Sequence, residues 1–248
     1  LEESYRLCVD ANGLPIASEE GADSPPVIDT GLDGALYSFE WSIDGVVQVG
    51  ETGASIIATT GGVYQATITQ LSSGCQTVVD TTVTVSQAPV EWSFNLTNGA
   101  FSDNHTVEIL AQGLGEYVYS IDGGPFQESN VFSNVAPGVH TITIKDANGC
   151  GEVSFDIGVV DYPNYFTPNN DGYHDTWNII GIADFDATAN IYIFDRFGKL
   201  LKQISPLSPG WDGTYNGNAL PSSDYWFRVA YTEQGIQKEI RGHFTLKR

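Results

Sequence analysis

The sequence predicts an all-β protein, three tandem antiparallel Ig-like β-sandwich domains over residues 1–88, 89–160 and 161–248. Three observations carry that expectation. No window of ten or more residues sustains the i, i+3, i+4 apolar spacing of an amphipathic helix. Short alternating runs rich in Val, Ile, Thr and Tyr return every ten residues or so, bounded by Gly, Asn, Asp and Pro. An internal repeat relates the first two parts of the chain.

In the first domain, strands are expected over 37–43, 63–69 and 77–85, with Trp41 where a sandwich buries a central aromatic. The second domain repeats its vocabulary. Trp41-Ser42-Ile43-Asp44-Gly45 recurs as Tyr119-Ser120-Ile121-Asp122-Gly123, Gly62-Val63 as Gly138-Val139, and Gly74-Cys75 as Gly149-Cys150, at offsets of 78, 76 and 75 residues. Each Ile-Asp-Gly turn closes one strand and each Gly-Cys turn another, and Ala88-Pro89 joins the copies. The third domain has its own vocabulary, with strands over 191–194 and 225–231. In its closing strand Ile240, Phe244 and Leu246 face inward by alternation.

The three cysteines are Cys8, Cys75 and Cys150. Cys8 lies in the first strand of its domain and Cys75 ends a late one. A Cys8–Cys75 bridge would close a loop of about 67 residues, worth roughly 4 kcal/mol on the chain-entropy model. The second copy has Val90-Glu91-Trp92-Ser93 in place of an early Cys, so Cys150 is the one left over. Such a bridge implies an oxidising compartment; two buried thiols are the other arrangement the sequence allows.

Charge narrows the partners. The chain has 248 residues, 10 Lys and Arg against 31 Asp and Glu, and a formal charge of −21. That argues against nucleic acid and anionic lipid, which both reward clustered cations. No run approaches the ~20 apolar residues of a membrane helix, so direct membrane insertion is not expected. There is no Met, and the chain is expected to be a processed product or a fragment of something longer. Residues 1–160 carry a net −19 and residues 161–248 only −2. Lys238, Arg241, Lys247 and Arg248 fall in the last eleven residues. They are the candidate partner-binding side chains, on a terminal strand that could add to a partner's sheet.

Signals for catalysis are weak. His105, His140, His174 and His243 are scattered, and there is no G-x-S-x-G, HExxH, phosphate-cradling Gly loop or zinc-type Cys spacing. No enzymatic activity is expected. In the loop Thr167–Asp175, Asn169, Asp171 and Asp175 fall near ligand positions of an EF-hand-like calcium loop. The first carboxylate and the closing Glu are missing, and an Asx-type turn with Gly172 at positive φ is the plainer reading. No cofactor is expected beyond that weak calcium site. Trp41, Trp92, Trp177, Trp211 and Trp226 could offer sugar platforms, although Trp on alternating strands is usually core. A carbohydrate-binding surface module on the first two domains is therefore the alternative function.

The last third carries a specific set of motifs in order. Tyr165-Phe166-Thr167-Pro168-Asn169-Asn170-Asp171-Gly172-Tyr173-His174-Asp175-Thr176-Trp177 opens it, and Ile191-Tyr192-Ile193-Phe194-Asp195-Arg196-Phe197-Gly198-Lys199 follows. Then come Trp211-Asp212-Gly213, Gly217–Phe227 and Arg241-Gly242-His243-Phe244-Thr245-Leu246-Lys247-Arg248. This succession resembles the gliding-motility-associated type B C-terminal domain of type IX secretion substrates in Bacteroidota. The second domain is similar to the repeat of SprB-type gliding adhesins, through Tyr119–Gly124 and Lys145–Cys150, and the first to an Ig-like module. The resemblance implies a non-catalytic export and surface-attachment signal in 161–248. Its implied partners are the type IX translocon and an SprF-like outer-membrane protein, and the protein would be exported to the cell surface. It also implies turns at Gly172, Gly198 and Gly213 and a core of Trp177, Trp211 and Trp226.

Overall fold

A computed structural model of the chain describes residues 1–17, 25–96, 105–184, 186–233 and 235–248. The described residues form strands, turns and one short 3₁₀ turn at Ile182–Asp184, with no α-helix among them. The all-β expectation holds.

The first strands are β1 (Ser4–Cys8), β2 (Val27–Asp29), β3 (Tyr37–Ile43), β4 (Val46–Val47), β5 (Ser55–Ile57), β6 (Gly62–Gln70) and β7 (Gln76–Ser86). They make a five-stranded sheet in the order β1-β7-β6-β3-β4 and a two-stranded β2-β5 sheet. Between the sheets lie Leu7, Ile28, Trp41, Tyr64, Ala66 and Val83. Trp41 is fully buried and donates its indole N–H to the Gly53 carbonyl at 2.9 Å, so its one polar atom is satisfied inside the core.

The next strands are β8 (Glu91–Leu96), β9 (His105–Gln112), β10 (Tyr117–Ile121), β11 (Val131–Val135), β12 (Gly138–Asp146) and β13 (Glu152–Val159). Two three-stranded sheets, β10-β12-β13 and β11-β9-β8, enclose Val107, Ile109, Tyr119, Ile142, Ile144 and Ile157. The pairings Trp41↔Ala66 and Tyr119↔Ile144 put the two copies 78 residues apart on both strands. In each, an Asp-Gly pair at positive φ (Asp44 and Gly45; Asp122 and Gly123) makes the tight turn whose twist suits a hairpin. Asp44 then accepts the Val63 N–H at 2.8 Å, as Asp122 accepts that of Thr141 at 3.0 Å. The counterpart of Val63 is therefore Thr141, and the sequence match of Gly62-Val63 to Gly138-Val139 is two residues out of register.

The last strands are β14 (Tyr165–Phe166), β15 (Asn190–Phe194), β16 (Leu200–Ile204), β17 (Thr214–Tyr215), β18 (Asn218–Ala219), β19 (Ser223–Glu233) and β20 (Ile236–Leu246). A five-stranded sheet, β14-β20-β19-β15-β16, covers an aromatic core, beside a β17-β18 hairpin. In that core Trp177 stacks on Phe244 with centroids 3.9 Å apart, and Trp211, Phe166, Phe227 and Tyr225 surround the pair. Phe244 and Leu246 are fully buried and Ile240 packs against the cluster, as alternation requires. Trp226 differs from expectation: it is 40% exposed, because Tyr225, Phe227, Val229 and Tyr231 take the inward positions of β19 and leave it on the outer face. Two pairings also depart from an all-antiparallel scheme, since β1 runs parallel to β7 and β14 parallel to β20.

The disulfide differs most. Cys8 is bonded to Cys150, with Cα atoms 5.2 Å apart, and Cys75 is an exposed free thiol. The parallel register explains why. Cys8 lies opposite Ser86 at the end of the eleven-residue β7, whereas Cys75 immediately precedes its start. At about 3.3 Å per residue the eleven steps from Cys75 to Ser86 keep Cys8 and Cys75 roughly 35 Å apart, several times the reach of a disulfide.

Candidate functional site

Around the disulfide the first two β-structures are joined by buried polar contacts. Asp146, fully buried at the end of β12, accepts the Ser86 hydroxyl with both carboxylate oxygens at 2.9 Å and the Glu116 and Cys150 N–H groups at 3.1 Å. Asn148 donates to Ser86 Oγ at 3.1 Å. A Cβ on Gly115 would meet the Gln87 carbonyl, the Tyr117 ring and the Asp146 carboxylate within 2.5–2.7 Å, so only glycine fits. Three donors on one buried carboxylate, the Ser86 hydroxyl shared between its two oxygens, with a covalent bond beside it, make a fixed joint.

The second joint is short. Val159 belongs to the central core and Val160 packs on the C-terminal one. Asp161 and Ile180 exchange backbone hydrogen bonds at 3.1 and 2.8 Å. Gly181, at φ +91°, has the Val159 carbonyl only 2.3 Å from where a Cβ would stand. Lys238 Nζ sits 5.6 Å from the centre of the Phe94 ring, bringing β20 against β8.

The Thr167–Asp175 loop is an Asx-built turn. Asp175 accepts the Asn169 and Asn170 N–H groups on one oxygen and that of Gly172 on the other. Asp171 accepts the Tyr173 N–H at 2.8 Å and the Asn169 side-chain amide at 2.8 Å. The Tyr173 amide, then the Asn169 side chain, hold the Asp171 carboxyl below its ordinary pKa. Asn169, Asp171 and Asp175 are thus brought together, with their oxygens directed at their own backbone. Among the described residues no group of three or more His, Cys, Asp or Glu could hold a metal ion.

The four candidate cations do not form one patch. Lys238 lies over Phe94 at the second joint. Arg241 Nε is 2.6 Å from Glu239 Oε1. Lys247 Nζ stands 4.0 Å over the Tyr165 ring. Arg248 donates to the Leu220 carbonyl at 3.0 Å and the Gly213 carbonyl at 3.3 Å, lacing the C-terminus to the loops beside β17 and β18.

Sequence reasoning missed the outer face of the five-stranded sheet. Strand register aligns Tyr192, Arg228 and Arg241 in one row across β15, β19 and β20, and Phe194, Trp226 and His243 in the next. Arg228 is held 5.7 Å over the Tyr192 ring and its Nε is 3.9 Å from Glu239. With Arg196 and Asp195 from the β15–β16 turn, this face borders an open groove of about 810 Å³. The alternation Trp226-Arg228 against Tyr225-Phe227-Val229 was the available signal.

Against this geometry the comparison with known families is decisive for the C-terminal part. Residues 160–246 match the CHU_C type IX secretion signal domain. The signal domain thus coincides with the aromatic-cored β-structure of β14–β20, and with it the chain carries a mark for export by the type IX machinery. No curated protein matches the chain. Among solved structures, dimeric latent PorU from Porphyromonas gingivalis is similar at 14% identity and TM-score 0.27, over 85% of this chain and 29% of PorU. PorZ, described as an essential bacterial surface component of the type IX secretion system of Porphyromonas gingivalis, is 19% identical at TM-score 0.27, over 79% of this chain and 31% of its own. Three N-terminal domains of the bacteriophage RB49 outer capsid protein Hoc are 12% identical at TM-score 0.30, over 88% and 89% of the two chains. The chain therefore spans under a third of the PorU and PorZ chains.

Proposed function

We propose that this chain is the C-terminal region of a large secreted gliding adhesin of the cell surface. In this reading residues 161–248 are the export and attachment signal, residues 89–160 an SprB-type repeat, and residues 1–88 an Ig-like module. The last two form an acidic spacer without catalysis. The observation that carries the reading is the signal-domain match over 160–246. The three separate hydrophobic clusters support three domains, and the fixed joint at Cys8–Cys150 suits a spacer that must hold its length outside the cell. An SprF-like outer-membrane protein is the proposed partner beside the translocon.

The test is a reporter fused to residues 1–248, 1–160 or 161–248 in a gliding bacterium of the Bacteroidota. Surface display of the first and third, with the second held in the periplasm, is the expected result. A third fusion that stays in the periplasm would defeat the signal reading, and a pull-down of the displayed fusion identifies the outer-membrane partner. Trp92, 42% exposed and stacked 5.9 Å from Phe155, favours the carbohydrate alternative enough to merit a glycan array with residues 1–160.

A further inference from the structure

We propose that the outer face of the signal domain's five-stranded sheet is a docking surface for an acidic protein segment, whose carboxylates the paired arginines Arg228 and Arg241 receive between aromatic side chains. Arg228 and Arg241 lie directly opposite each other on neighbouring strands, with side chains 48% and 70% exposed. Like charges in that relation destabilise a sheet, and nothing in the packing of the core below requires them there. A local rule broken on an open surface points to use of that surface. The flanking residues are of the types that anchor protein interfaces: Tyr192 under Arg228, Trp226 half-exposed beside it, and His243 opposite Trp226.

The structure also displays the chemistry in miniature. Glu239 already places one carboxylate against this pair, 2.6 Å from Arg241 Nε and 3.9 Å from Arg228 Nε. One carboxylate does not fill two guanidinium forks, each able to hold a carboxylate through two parallel N–H donors. Arg196, on the adjoining turn, adds a third positive charge to the groove.

Charge selects a protein over a membrane as the occupant. Eight of the ten cations lie in residues 161–248, while residues 1–160 carry a net −19. The formal charge of −21 opposes accumulation of the chain at an anionic bilayer, whereas a protein can present a local acidic patch to this face alone. The inference rests on the signal reading only for where that protein resides, in the export or attachment apparatus; the binding chemistry is tested independently of it.

The full chain is titrated with a decaglutamate peptide by calorimetry, with phosphatidylglycerol vesicles as the comparison. Binding should weaken at least about tenfold between roughly 50 and 300 mM salt. R228E/R241E should cost at least about tenfold in affinity, while R6E/K145E, the same change of formal charge placed off the face, should stay within about twofold. Glu239→Gln should bind the peptide more tightly, because it removes the internal competitor. Thermal midpoints confirm folding, and R228Q/R241Q replaces the charge reversal if that variant is unfolded. The proposal is overturned if the native chain does not bind the peptide, if R6E/K145E loses as much as R228E/R241E, if Glu239→Gln weakens binding, or if the vesicles bind through these arginines and displace the peptide. In cells, R228E/R241E should hold a 1–248 reporter fusion in the periplasm. Export of that variant at the native level refutes the docking role, whereas failure of the native fusion itself refutes the signal reading.

Discussion

Replacing Cys8 or Cys150 with Ser separates the observed bridge from the other pairings the three cysteines allow. The two residues are 142 positions apart. On the chain-entropy model a loop of that size constrains the unfolded chain by about 5 kcal/mol. That figure is a ceiling, because a partly unfolded chain that keeps one β-structure intact has less entropy to recover. The expected loss is about 2–5 kcal/mol, enough to lower the first transition by 8 °C or more at roughly 4–8 °C per kcal/mol for units of this size. The assay is thermal and urea unfolding of oxidised wild type, C8S, C150S and C75S, each followed by Trp fluorescence. C8S and C150S should be equally destabilised and C75S unchanged, its thiol being exposed and unbonded. Maleimide added in urea should label one thiol in the oxidised protein and two in C8S, because the Cys150 thiol released there is buried in the folded state. If C75S is destabilised like C8S, or if C150S is as stable as wild type, the pairing derived from the β1–β7 register is wrong.

Trp177→Ala should cost about 3–5 kcal/mol, since it empties the place stacked on Phe244, while Trp226→Ala on the outer face should cost under about 1 kcal/mol; urea midpoints compare them. Gly181→Ala should destabilise by about 2 kcal/mol or more through its positive φ and the Val159 carbonyl, read as increased proteolysis between residues 159 and 181. Lys247→Ser and Arg248→Ser should each cost about 1 kcal/mol or less, and display of a reporter fusion measures their part in export separately from the thermal midpoint. Burial works against ionisation of Asp122, but the His140 ring and the Thr141 N–H outweigh it, and Asp186 is held low by the Thr188 hydroxyl and then the Thr232 N–H. Both folded pKa values lie below the ordinary 3.8, so their contribution is complete above that pH and lost as pH falls through the lower folded values. Urea midpoints should be flat near neutrality and fall below about pH 4, and D122N should reduce the fall.

The strands were legible because local pattern decides them. The runs at 37–43, 63–69 and 225–231 sit inside β3, β6 and β19, and Asp-Gly at 44–45 and 122–123 makes the turns that its backbone freedom favours. Phe244 and Leu246 were placed inward by parity alone. What escaped the sequence depends on pairing between distant strands. Whether β1 meets β7 parallel or antiparallel decides which end of β7 Cys8 reaches, and nothing in Ser4–Cys8 expresses that choice. Trp226 was misplaced because aromatic residues occupy both parities of β19, and only the row Arg228-Arg241 across two strands marks the outer side. The terminal cations were found, but Arg248's grip on Leu220 and Gly213 depends on loops 28 and 35 residues upstream.

The disulfide also sets the path of mechanical load. A pull that enters the backbone before Ser4 and leaves through the signal domain passes along β1 to Cys8, crosses the sulfur–sulfur bond to Cys150, and continues through β13. Residues 9–149 hang outside that path. Even if both β-structures they belong to were to melt, about 500 Å of extended contour, at roughly 3.5 Å per residue, would stay folded back on itself while the bond is closed. Oxidation at this single pair of cysteines thus makes a short tether of residues 1–160, which would otherwise lengthen by several times before transmitting force.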